Sequence, residues 1–171
     1  MDTQNENLDT KARLSLAQWA LDKNLSWIAA SEVKSAFTFA AAASMLGVLY
    51  SIISSVVWLS PCLVYSAITS FLLLGIACLH TILVVIPRLS GPSDSLLFFG
   101  VTSQKTIEEY KKQFLESSSR EMLEDMASQI HRNSEIANKK QRLVKRGIIF
   151  LILGAIPWVL SMTLVLIIKW H

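Results

Sequence analysis

The sequence predicts an all-α membrane protein: three transmembrane helices, with a cytoplasmic helical hairpin continuous with the last of them. Three observations predict it. Only 17% of the 171 residues are charged while 52% are hydrophobic, against roughly 25% charged in an ordinary soluble domain. The charge is also segregated, since Ser35 to Pro87 and Gly147 to Ile168 contain no Asp, Glu, Lys or Arg. Finally, no Pro or Gly interrupts the chain from Ser119 to Arg146, and Gly147 is a weak breaker beside strong helix formers. One helix is therefore expected to start at Ser119 and run into the last apolar stretch, as a signal-carrying rod or a rigid oligomerisation stalk.

Residues 1–34 read as a cytoplasmic N-terminal segment. After a polar start expected to fray, Leu14, Leu16, Ala17, Leu21, Leu25 and Ile28 recur at helical spacing, flanked by Trp19 and Trp27, with Lys11, Arg13, Asp22 and Lys23 on other faces. This is the pattern of an amphipathic helix, lying on the inner leaflet or packed on its own protein. Residues 35–86 form a transmembrane hairpin with spans over about 35–59 and 63–86, each long enough for the roughly 20 residues that cross a bilayer core. Pro61 lacks an amide donor and restricts Ser60, so the chain turns at Trp58–Pro61. The first apolar run starts too late and is too long for a cleaved signal peptide.

Residues 87–146 form the cytoplasmic segment. Thr106-Ile-Glu-Glu109 and Ser118-Ser-Arg-Glu121 both match the capping box, in which the Glu returns to the cap amide. They predict helices over about 103–115 and from Ser119 onward. Met122, Leu123, Met126, Ile130, Ala137 and Val144 mark an apolar seam on the second, interrupted by Asn133 and Lys140. Residues 147–171 hold the third span, about 148–168, with Pro157 expected to kink it.

Basic residues set the orientation. Eleven lie between Arg88 and Arg146, none in the Trp58–Pro61 turn, and only Lys169 near the C-terminus. The positive-inside rule then places the N-terminus and residues 87–146 in the cytoplasm, and the turn and C-terminus outside. The net charge of +3 adds little beyond this local bias.

Enzyme signatures are missing: there is no Gly-rich phosphate loop, Gly-x-Ser-x-Gly elbow or His-Glu-x-x-His. No catalytic residue, metal ligand or cofactor is assigned. Cys62 and Cys78 are 16 residues apart on one helix, roughly 24 Å, too far to bridge, and read as packing residues. Of His80, His131 and His171, the first lies in a span. It is either a pore or proton-relay group or bonds a neighbouring helix's carbonyl. Small and hydroxyl residues (Ala40 to Ser44, Ser51, Ser54, Ser55, Ser66, Thr69, Ser70) suit close helix approach, within one subunit or across a self-associating, wetted interface.

The loop from Ile86 to Gly100, IPRLSGPSDSLLFFG, carries an apolar cluster in a polar, Pro- and Gly-punctuated setting. It reads either as a structural plug between domains or as an exposed aromatic face.

A resemblance gathers these pieces. Pro87-Arg88, Leu97-Phe98-Phe99-Gly100, Tyr110, Glu124-Asp125-x-x-x-Gln129-Ile130-His131 and Lys139 or Lys140 before the last span resemble the Pycsar effector family, PycTM type. Upstream, Asn24-x-x-Trp27-Ile28-x-x-Ser31-Glu32-x-Lys34 resembles that family's N-terminal stretch, with Ser31-Glu32 where the family has Ala-Asp. The likeness covers about Leu16 to Ile168. It implies a bacterial inner-membrane antiphage effector, switched on by cyclic CMP or cyclic UMP from a partner nucleotide cyclase, that damages the membrane and kills the infected cell by abortive infection. The expected partners are the lipid bilayer, that nucleotide, its cyclase and further copies of the chain, with no nucleic acid. The resemblance makes Arg88, Phe98, Phe99, Tyr110, Gln129, His131, Lys139, Lys140 and Arg142 the candidate ligand residues: the loop's aromatic face would stack on the pyrimidine, and Arg88, Lys139, Lys140 or Arg142 would meet its cyclic phosphate. A constitutive membrane scaffold whose cytoplasmic helices dock a protein is the alternative.

Overall fold

The computed structural model describes residues 2–56, 60–87 and 91–170, with side chains from residue 9 onward. Trp58, Arg88 and His171, each singled out above, lie outside the described residues. Among the described residues all the regular structure is helical: α1 (Asp2–Ile53), α2 (Pro61–Val85), the single turn α3 (Phe99–Thr102), α4 (Ile107–Glu116) and α5 (Ser119–Trp170). Three helices are long and apolar enough to cross a membrane: α1 from Asp9, α2 and α5. Their outer faces agree. Phe37 is 78% exposed, Leu72 63% and Ile156 67%, a surface that lipid tolerates and water does not. The protein is a multi-pass membrane protein.

The chain divides into two compact units, Met1–Ala29 with Pro87–Lys139, and Ala30–Ile86 with Lys140–His171. The second unit is the membrane bundle. Its buried positions repeat every seven residues on all three helices: Ser31, Ser35, Thr38, Ala42 and Leu49 on α1, then Leu63, Ala67, Ser70, Leu74, Ala77, Thr81 and Val84 on α2. On α5 they are Lys140, Val144, Gly147, Gly154, Ser161 and Val165. Alternating steps of three and four keep one seam facing its neighbours, as in a left-handed supercoil. Small residues bring the backbones close. A Cβ on Gly154 would stand 2.9 Å from Leu74 Cδ2, and one on Gly147 3.1 Å from Thr81 Cγ2. Gly147 is thus a packing glycine inside α5 rather than a break.

Hydroxyls then join the helices. Ser35 Oγ donates to Thr81 O (2.8 Å), Ser70 Oγ to Gly154 O (3.2 Å), and Ser66 and Ser161 share a 2.8 Å bond. Trp158 Nε1 donates to Met45 O at 2.9 Å. Interhelical bonds of this kind contribute about 0.6 kcal/mol each on average, so the seam is a sum of small terms. His80 Nδ1 bonds Ile76 O of its own helix at 2.9 Å, and its ring stacks on Phe150 of α5, centroids 5.4 Å apart. Cys62 and Cys78 are both free thiols, and Cys62 is exposed rather than packed.

Helix ends follow local chemistry. α1 stops at Ile53, six residues short of the expected Leu59, where Ser54 and Ser55 turn and their hydroxyls bond Ser51 O and Ile52 O. Ser60 caps α2 by accepting from Leu63 N, and Pro61 occupies its first turn, where a missing amide costs nothing. In the other unit the short segment Phe99–Thr102 forms its own turn, and α4 begins at Ile107, four residues after the expected Ser103. Both capping boxes are formed: Thr106 with Glu109, and Ser118 with Glu121, whose Oε2 accepts from the Ser118 amide at 2.7 Å. α5 is continuous through Gly147, as its sequence predicts, and Pro157 lies within it.

Candidate functional site

The unit formed by residues 1–29 and 87–139 carries the polar architecture. Its centre is Ser95, only 1% exposed. Ser95 Oγ accepts from the amides of Leu97 (3.0 Å) and Phe98 (2.8 Å) and from Gln129 Nε2 (2.9 Å) on α5. Four residues earlier on α5, Asp125 Oδ2 accepts from the amides of Leu96 (2.8 Å) and Leu97 (3.2 Å). Two side chains one helical turn apart thus hold the loop's backbone, so a segment with no regular structure has fixed geometry. Charge-assisted bonds to amides are the stronger kind. On the opposite flank Asn24 Nδ2 of α1 donates to Ile130 O at 3.2 Å.

The pinned loop aims its apolar cluster. Phe98 lies against the backbone of Gly91 and Gly100, since a Cβ at either would come within 2.6 Å of its ring. Any larger residue at those positions would displace the ring. Phe99 tilts against Phe98, centroids 4.9 Å apart, and is 62% exposed. The two rings and Leu97 form one wall of a cleft of about 280 Å³; Leu21 and Leu25 of α1 form another, and Gln129, Arg132, Asn133 and Ile136 of α5 form the floor. Arg132 Nη1 is paired with Glu135 Oε2 at 2.9 Å.

Of the residues expected from sequence, this cleft brings together Phe98, Phe99 and Gln129. Tyr110 is on α4, tilted against Phe114 at 5.8 Å. His131 is exposed and faces Glu135 across 3.6 Å, and Lys139 and Arg142 are exposed. Lys140 belongs to the membrane bundle, 4% exposed and ion-paired with Glu32. Arg88 lies outside the described residues. Sequence reading missed Arg132, Asn133, Leu21, Leu25, Leu97 and Ile136 as cleft residues. One signal was available: Gln129, Arg132, Asn133 and Ile136 are three and four apart, on one face of a helix, and Asn133 was noted only as a break in an apolar seam.

Two larger clefts in the same unit differ in charge. One of about 460 Å³ is lined by Asp94, Glu116, Glu121 and Asp125 against a single Lys105; another of about 380 Å³ has Asp94, Glu121, Glu124 and Asp125. Glu121 is held below the usual carboxylate range by hydrogen bonds from the Ser118 amide and hydroxyl, and Glu109 likewise by Thr106. Both therefore stay ionised at neutral pH.

Comparison with known proteins bears on this arrangement. The family model described as PycTM, the Pycsar effector protein domain, matches residues 16–167, which takes in the cleft and all three spans. The chain belongs to the PycTM family. The Pycsar effector protein GmPycTM of Gulbenkiania mobilis is 33% identical over 67 residues, a stretch covering 39% of this chain and 34% of that relative. This match therefore spans about a third of the PycTM relative's length. No solved structure matches the chain, so the PycTM architecture described above rests on this chain's own packing.

Proposed function

We propose that this protein is an antiphage abortive-infection effector: cyclic CMP or cyclic UMP from a partner nucleotide cyclase activates it, and it then disrupts the bacterial inner membrane and kills the infected cell. The observation that carries this reading is the PycTM match over residues 16–167, because one continuous family domain includes both the polar unit and the membrane bundle. The segregation of charge supports it. Three apolar spans supply a part that acts on the bilayer, and a separate helical unit with a fixed loop supplies a part that senses. The excess of basic residues between 88 and 146 supports a cytoplasmic position for that unit, on the side where the nucleotide would be made. Further copies of the chain are partners in the active state, since three spans alone enclose little.

Entry of a membrane-impermeant dye into cells expressing the protein tests it. Dye should enter after cyclic CMP or cyclic UMP is produced by a co-expressed cyclase and stay out when the cyclase is inactive. Exclusion of dye under both conditions, with the protein confirmed in the membrane, would overturn the effector reading and favour a constitutive scaffold.

A further inference from the structure

We propose that the 280 Å³ cleft floored by α5 is the pyrimidine mononucleotide site, with Arg132 taking the phosphate and Asn133 the edge of the base; this rests on the effector reading above. Size comes first. At about 280 Å³ the cleft falls just below the usual range of small-molecule pockets, roughly 300–1,000 Å³. It suits one single-ring nucleotide and not a dinucleotide. The lining fits a flat ring: Leu21 and Leu25 share it with Phe98 and Phe99, and the exposed Phe99 offers a stacking surface. Stacking on aromatic side chains holds bases without regard to their sequence, so the walls give affinity and the floor must give selectivity.

The floor provides it. A cyclic phosphodiester carries one negative charge and two free oxygens, the demand that a planar guanidinium meets with paired N–H donors. Arg132 is the cation on this cleft. Its pair with Glu135 is partly solvent-exposed, 35% and 52% for the two side chains, and exposed pairs of this kind hold weakly. A phosphate can draw the guanidinium away or share it. The Asn133 carboxamide presents a donor beside an acceptor, the complement of a pyrimidine's Watson–Crick edge, which is how extruded bases are read in other sites. Gln129 has its amide nitrogen engaged by Ser95 and so serves to fix the loop. The two acidic clefts exclude themselves, because Asp94, Glu121 and Asp125 line both and repel a phosphate.

The experiment is calorimetric titration of the full-length protein in detergent micelles with cyclic UMP, cyclic CMP and cyclic AMP. The wild type should bind a cyclic pyrimidine nucleotide more tightly than cyclic AMP. Arg132→Ala should weaken binding at least about tenfold, as loss of a charge-assisted bond does, with its helical circular dichroism unchanged. Glu135→Gln should tighten binding, because it removes a competitor for the guanidinium; a merely structural pair would show no gain. Asn133→Asp should shift preference toward cyclic CMP, whose exocyclic amine donates where uracil presents a carbonyl. Wild-type affinity in Arg132→Ala, or weaker binding in Glu135→Gln, would overturn the site and leave the effector reading standing. Failure of the wild type to bind any of the three nucleotides would also overturn it. Only if cells then admit no dye does the effector reading fall with it.

Discussion

The two units bury polar groups for opposite purposes. Around Ser95 and Asp125, side chains on a helix capture the amides of a loop that has no ladder of its own. In the membrane bundle, side chains on helices that already satisfy their backbones add bonds between those helices. The first arrangement makes an irregular segment rigid. The second joins segments that are rigid already. A lost hydroxyl therefore has different consequences: in the loop unit it strands the Phe98 amide and a buried Gln129, leaving Leu97 to Asp125 alone, whereas in the bundle it subtracts one contact among many. Lys140 is the exception in the bundle, a cation 4% exposed whose neighbour Glu32 is 46% exposed.

That exception offers the largest way to break the comparison. Glu32→Gln leaves the Lys140 ammonium buried without its carboxylate, and should destabilise the bundle by about 3 kcal/mol, at the lower end for broken buried pairs. Lys140→Met removes the charge instead and should be neutral or stabilising. Denaturation of the purified protein in mixed micelles, followed by circular dichroism, measures both. Equal losses in the two variants would make Lys140 a bonding partner for more than Glu32.

A smaller effect belongs to the loop. Ser95→Ala removes the acceptor of two amides and of Gln129 Nε2. It should cost about 1–3 kcal/mol, the penalty for a buried group left unsatisfied, and speed hydrogen exchange at Leu97 and Phe98. Ser70→Ala in the bundle should cost about 0.6 kcal/mol. If the two variants lose the same amount, the distinction between capturing a loop and joining helices fails.

The smallest effect depends on pH. Hydrogen bonds from Thr106 and Ser118 lower the folded-state pKa of Glu109 and Glu121 beneath the ordinary value of 4.5. A depressed carboxylate contributes stability that is complete above its unfolded pKa and lost as pH falls through its folded one. The first turns of α4 and α5 should therefore be unaffected from pH 7 to 5 and loosen below about 4. Amide exchange at Glu109 and Glu121 reports this, and Glu109→Gln should remove the dependence at the first cap while keeping the cap itself.

Much of this was legible in the sequence, and the parts that were not share a physical cause. The spans, both capping boxes and the continuity of α5 follow from local rules: charge exclusion, a Ser or Thr three residues before Glu, and the lack of breakers. The seam of α1 escapes such rules, because Ser31, Ser35 and Thr38 are buried while Phe37 and Tyr50 are exposed. Hydrophobic periodicity assumes water outside, and lipid removes that assumption. Leu16 and Leu25 were grouped with the buried stripe on the same basis, yet are 63% and 48% exposed. The cleft was half legible. Phe98, Phe99 and Gln129 stood out by type, but Arg132 gains its place only from the loop that Ser95 and Asp125 hold, a contact across about 30 residues that no local pattern encodes.

The bundle hydroxyls carry a last consequence. Ser66 Oγ lies 3.0 Å from Leu63 O as well as against Ser161, Ser161 Oγ donates to Pro157 O at 2.8 Å, and Thr81 Oγ1 donates to Cys78 O at 2.8 Å. Each of these three donors has a resting place on its own helix. If α2 and α5 part, Ser66 can turn its proton back to Leu63 and Ser161 keeps Pro157 O, so neither hydroxyl is left naked in hydrocarbon. A seam of asparagines, with two amide protons each, has no such retreat. The Ser66–Ser161 clasp closes on itself when undone, so α2 and α5 can separate at that point without exposing a hydroxyl that the lipid forbids.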